Sequence, residues 1–258
     1  MTIKPEVSGI HRYKDRHFFI NLYQNLKNMK YRDYERCFSQ KRLGRYIQAC
    51  SGNKRKAMAL YRDNLRLSQE MYTIINCFEV SLRNAIDGIL SLQFGQEWLK
   101  DSIMPNGKFT DPILHKTYER ITHSYLKLVS MGNYSHSKLI ASMDFGMWKY
   151  MFSPLQYKLT NQSLLGVFPH KAKSTPQQHI NQAYIFNELD KVNTLRNRIA
   201  HHEPICFYMQ EPIIDTTHIL NEYDKIQTLF DWMGINGHSM LYGLDHVRKI
   251  CSVIESLK

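Results

Sequence analysis

The chain has 258 residues, 43% hydrophobic and 12% aromatic, enough for a sizeable core and too apolar for a disordered or fibrous protein. Lys and Arg number 34 against 23 Asp and Glu, a formal charge of +11 that favours a polyanionic partner without naming one. The five cysteines are odd in number, scattered and never in a Cys-x-x-Cys pair, which argues against a disulfide framework or a thiolate zinc cluster and for a reducing, cytoplasmic setting.

Only 12 Gly and 8 Pro occur, with no Asn-Gly or Asp-Gly hairpin signals and no Gly-rich phosphate loop, so the pattern is helical throughout. Residues 1–30 are polar and basic until an apolar period starts at residue 17, which predicts an arm followed by a short helix. They lack the apolar region of a signal peptide, and no later run approaches the ~20 apolar residues of a membrane span. Ser39 and Gly52 frame one short helix. From Lys54 to Phe94, Met58, Tyr61, Leu65, Met71, Ile74, Ile75, Phe78, Leu82, Ile86 and Leu90 recur largely at three- and four-residue steps, predicting a long helix with one buried stripe.

Residues 99–110 read as a loop closed by Thr110 or Asp111 as a cap. Helices are predicted over 112–131 and over 138–152, the second ending before Pro154, with a short one at 161–168. A basic loop follows. Ser174 or Thr175 is expected to cap a helix with Pro176 in its first turn, running to a stop at Pro204. Two helices, 214–233 and 238–256, close the chain. The expected organisation is the basic arm over 1–30 and one helical domain over 31–258, with two halves near 31–100 and 110–258 as the alternative.

The segment Leu195-Arg196-Asn197-Arg198-Ile199-Ala200-His201-His202-Glu203-Pro204 carries the clearest chemistry. On a helix, Asn197 and His201 lie one turn apart on one face, whereas Arg196 sits roughly 140° from His201 and reaches it only by bending back at the loosening end. A permanent cation beside a group that titrates near neutrality suits RNA cleavage without a metal. RNA brings its own 2′-hydroxyl nucleophile, an imidazole moves the proton, and a guanidinium fork stabilises charge developing on the phosphoryl oxygens. Asn197 would orient the imidazole or the phosphate. The same residues also arise simply because cations suit a helix C-terminus. A metal reading of His201, His202 and Glu203 is weaker, because adjacent side chains diverge by about 100° and no His-Glu-x-x-His is present. Neither a metal nor another cofactor is expected.

These residues resemble the signature of the Abi-like (abortive infection) family, whose core belongs to the HEPN superfamily of Arg–polar–His ribonucleases. Two further blocks resemble that family: Phe78-Glu79-Val80-Ser81-Leu82-Arg83-Asn84-Ala85-Ile86-Asp87, and the Phe-Gly-x-Trp block within 143–152. The resemblance implies an all-α, HEPN-like helical bundle with long helices. It implies an RNA-binding endoribonuclease, a hydrolase acting in antiviral defence or a toxin–antitoxin system, with Arg196, Asn197 and His201 as catalytic residues. It further implies a homodimer with the two motifs facing each other, and restraint by a small RNA or a protein antitoxin. The alternative is a non-catalytic RNA-binding or scaffold HEPN protein.

Leu82-Arg83-Asn84-Ala85-Ile86-Asp87 echoes Leu195–Ala200, but Gly88 stands where His201 would be. Glu79, Arg83 and Asn84 share a helical sector, either as a second polar wall of the site or as a buried Glu79–Arg83 pair that fixes register. His202 is a further supporting residue. Lys54, Arg55, Lys56 and Arg198 are candidate RNA-backbone contacts, as are Lys41-Arg42 and Lys171–Lys173, although basic runs of this kind are more often a solvated face than a specific site. Trp98 and Trp148, in apolar helical contexts, read as core.

Overall fold

Residues 29–258 are described here by a computed structural model, and the expected arm with its short helix lies almost wholly outside them. Two short helices come first, α1 (Tyr31–Phe38) and α2 (Gln40–Ala49). Ser39 turns the chain between them at φ 65°, and its hydroxyl accepts the Arg42 N–H that would otherwise be orphaned at the start of α2. Asn53 does the same for α3 (Lys54–Phe94), accepting from the Lys56 N–H at 3.1 Å. At 41 residues, α3 is about 60 Å long and forms the spine of the bundle. Its apolar stripe is buried as the three- and four-residue steps require, except that Leu65 is 43% exposed and Leu67 takes its place inside.

After α3 come α4 (Trp98–Asp101), a 3₁₀ turn at Pro112–Leu114, the longer α5 (His115–Ser130), and then the short α6 (His136–Ala141), α7 (Phe145–Tyr150), α8 (Pro154–Leu159) and a second 3₁₀ turn at Ser163–Val167. The helix expected over 138–152 is thus two. Asp144, in extended conformation, separates them, its carboxylate accepting the Met147 N–H at 2.9 Å to cap α7. Trp98 and Trp148 are both buried.

The motif helix α9 (Gln182–Ala200) starts later than expected. Ser174 does not cap it: its hydroxyl accepts the Ile180 N–H across a non-helical turn, and Asn181 supplies the cap by accepting from Tyr184 N–H. α9 packs against α3 and α7. The end of the chain forms α10 (Thr217–Trp232), α11 (Gly237–Met240) and α12 (Val247–Glu255), so the helix expected over 238–256 is also interrupted. α12 and α2 lie against α3, and one apolar cluster runs from Leu43 to Ile254. The fold is all-α; an isolated bridge between Phe207 and Ile214 is the sole β-type pairing among the described residues.

Candidate functional site

Where α9 ends, the chain makes a tight reversal. The helix stops at Ala200 and not at Pro204, because His202 takes a left-handed conformation at φ 58°. Its N–H bonds to the Ile199 carbonyl, and the Glu203 N–H bonds back to Arg198, both at 2.9 Å. This Schellman closure satisfies carbonyls that the last turn leaves open, and it puts a histidine where glycine is the usual residue. Three side chains hold the turn. Arg42 donates to the His202 carbonyl, Arg198 donates to the Pro204 carbonyl at 3.2 Å and to the Glu203 carboxylate at 3.3 Å, and buried Asn64 accepts the Ile205 N–H at 2.9 Å.

The reversal forms one wall of a cleft of about 350 Å³; α2 forms the other. His201 is exposed and lines it, together with Lys41, Arg42, Arg45 and Arg198. Arg45 is oriented from two sides: its guanidinium lies over the Phe207 ring at 5.8 Å and donates to the Gln210 side-chain carbonyl at 3.0 Å. Among the described residues Glu203 is the one carboxylate in the lining, and it is already paired with Arg198. Nearby, His218 is held below the usual imidazole range, first by burial and then by the charge of Arg198.

Arg196 does not line this cleft. With Asn193 and Asn197 it borders a separate cavity of about 210 Å³, whose other walls include Arg120, Asp144 and Lys149. Within the described residues Arg196 has no hydrogen bond to His201, and its buried Nε has no hydrogen-bond partner. Its charge acts on Glu79 instead. Burial pushes the Glu79 carboxyl up from its ordinary range, Arg196 draws it down, Asp144 raises it again, and Arg83 and the Phe145 N–H oppose that rise. The three signature blocks therefore meet in space: Glu79 from the first, Asp144 and Phe145 from the second, Arg196 from the third. Phe78 and Phe145 reinforce the junction, ring centres 6.2 Å apart.

A family model described as Abi-like protein matches residues 21–206. The chain belongs to the Abi-like family. That membership associates it with abortive infection, a phage-defence response. No curated protein and no solved structure matches it. The matched span holds all three blocks and every cleft residue named here except Gln210.

Other candidates in this Abi-like chain are scattered. Arg83 is half-buried, lines neither cavity and makes no ion pair with Glu79 among the described residues; its Nε lies 3.5 Å from the Asn84 amide oxygen. Asn84 is exposed. Lys54 sits over the Tyr31 ring at 4.6 Å and Lys56 donates to the Lys258 carbonyl at 2.9 Å; neither they nor Arg55 border the cleft. Sequence reasoning missed Arg45 and Asp144. Arg45 follows Lys41 by one helical turn, and Asp144 lies within the 143–152 block, immediately before Phe145, which is the signal each offered. Among the described residues no group of three His, Cys, Asp or Glu is placed to hold a metal ion, and no helix is long and apolar enough to cross a membrane.

Proposed function

We propose that this Abi-like chain is a metal-independent endoribonuclease of the HEPN type, cleaving RNA in abortive infection or in a toxin–antitoxin system. One observation carries the reading: an exposed imidazole, His201, stands in a cleft whose walls are cationic from both sides. A polyanion is drawn into such a cleft, and the imidazole is available to move a proton once the strand is there.

In the reaction, His201 takes the proton of a ribose 2′-hydroxyl as that oxygen bonds to the adjacent phosphorus. The bond from phosphorus to the 5′-oxygen breaks, and that oxygen leaves with a proton supplied by water or by His201 of a second copy. Products carry a 2′,3′-cyclic phosphate and a 5′-hydroxyl. Cations in the cleft stabilise the charge on the phosphoryl oxygens. Arg196 and Asn197, which border a separate cavity, complete the site by facing the opposite copy in a homodimer, in which the two α9 ends oppose each other. A cytoplasmic ribonuclease of this kind needs restraint, and a small RNA or protein antitoxin would supply it by covering the cleft.

A second reading is a non-catalytic RNA-binding or scaffold protein. The placement of Arg196 beside Glu79 and Asp144, away from His201, favours it. Cleavage of total RNA by the purified chain, compared with the His201→Ala variant, separates the two: the enzyme reading requires cutting that the variant loses, and the scaffold reading requires none from either.

A further inference from the structure

We infer that Lys41 and Arg45 of α2 are the residues that grip the RNA phosphate backbone in the His201 cleft, an assignment that rests on the ribonuclease reading above. The cations of the cleft are not equivalent. Arg42 is committed to the His202 carbonyl, and Arg198 to Glu203 and the Pro204 carbonyl. Both hold the turn that carries His201. Lys41 and Arg45 have no carboxylate partner among the described residues. They are i and i+4 on α2, so they stack on one face and point their charge into the same space.

Arg45 is the better prepared of the two. Its guanidinium lies over the Phe207 ring, and Gln210 takes one of its N–H groups without cancelling its charge. A fork held at two points in this way, with donors to spare, fits two oxygens of one phosphate, and less side-chain entropy is left to lose on binding. Lys41, exposed at the rim, adds a point charge for a neighbouring phosphate. Of the excess positive charge that gives the chain +11, these two charges are aimed at the same opening as His201.

The test uses the full chain carrying His201→Ala, so that a short single-stranded RNA is bound and not cut, titrated over a range of salt. Adding Lys41→Ala and Arg45→Ala should weaken binding about tenfold or more at physiological salt and flatten the log–log salt slope by ~1.4, at ~0.7 per phosphate contact on a single strand. The charge-matched pair Lys127→Ala and Lys249→Ala, exposed and outside the cleft, should leave the slope nearly unchanged. Because Arg45 also packs on Phe207, Lys41→Glu at its exposed position serves as a second arm and should weaken binding with no change in Tm. Unaltered affinity and slope in both arms, in a chain that cleaves RNA when His201 is intact, overturn the assignment and leave the ribonuclease reading standing. Loss of affinity in both arms, in a chain that never cleaves, keeps the assignment and removes that reading. Tighter binding of oligoglutamate than of RNA at matched charge would show a cleft built for an acidic protein surface and also overturn it.

Discussion

Arg42, on α2, donates its guanidinium to the backbone carbonyl of His202, 160 positions further along the chain. The contact fastens one wall of the cationic cleft to the left-handed turn that directly follows His201. Its energy is modest, about 1 kcal/mol net for a hydrogen bond of this kind, but its geometry governs where the imidazole stands. Arg42→Ala should lower kcat for RNA cleavage by up to ~10²-fold with a small effect on Tm, and Arg42→Lys should restore part of the loss. The pH dependence of kcat should change in the alanine variant and return in the lysine variant. A kcat equal to that of the parent chain would mean that the turn holds its position without α2.

Glu79 gives a test of the junction around Arg196. Burial raises its carboxyl above the ordinary carboxylate range. The folded chain therefore holds the proton more tightly than the unfolded one, so the stability Glu79 contributes is present below its unfolded value of ~4.3 and is lost as pH rises through its raised native value. Glu79→Gln should raise Tm at pH 7, with the gain shrinking through the carboxylate range and absent below it. Melting both proteins across that range decides the sign. A lower Tm for the variant at neutral pH would mean that attraction to Arg196 outweighs the burial cost.

Arg83 is expected to matter little. It lies outside both cavities and forms no ion pair with Glu79 among the described residues, so Arg83→Ala should cost less than ~1 kcal/mol and leave cleavage within a few-fold of the parent. A steep fall in cleavage at unchanged Tm would place its guanidinium in a site completed by a second copy. A large fall in Tm would instead make it the register-setting partner of Glu79.

The helices were largely legible in the sequence because local chemistry sets them. The stripe from Met58 to Leu90 marks α3, and Ser39 opens α2 as its position ahead of an apolar period suggests. Local chemistry also misled. Ser174-Thr175-Pro176 has the look of a helix start, yet Ser174 spends its hydroxyl on Ile180 and leaves Asn181 to cap α9. Pro204 looked like the stop, although His202 had already ended the helix by adopting a positive φ that no nearby glycine announced. The site divides in the same way. His201 could be found from its motif, but the expectation that Arg196 bends back beside it is not met: the ~140° between them on the helix leaves the two bordering different cavities. The α2 wall could not be found, because no local pattern says that Arg45 and His201 share a cleft; only packing through α3 brings them together.

The most direct measurement is incubation of the purified chain with total RNA in excess EDTA, with the ends of the products mapped, beside His201→Ala. The expected result is cutting unaffected by EDTA, products ending in a 2′,3′-cyclic phosphate and a 5′-hydroxyl, and a loss of roughly 10²-fold or more in the variant. Cutting that stops in EDTA and returns with a divalent metal, or that survives His201→Ala in a folded protein, would contradict metal-independent chemistry at His201.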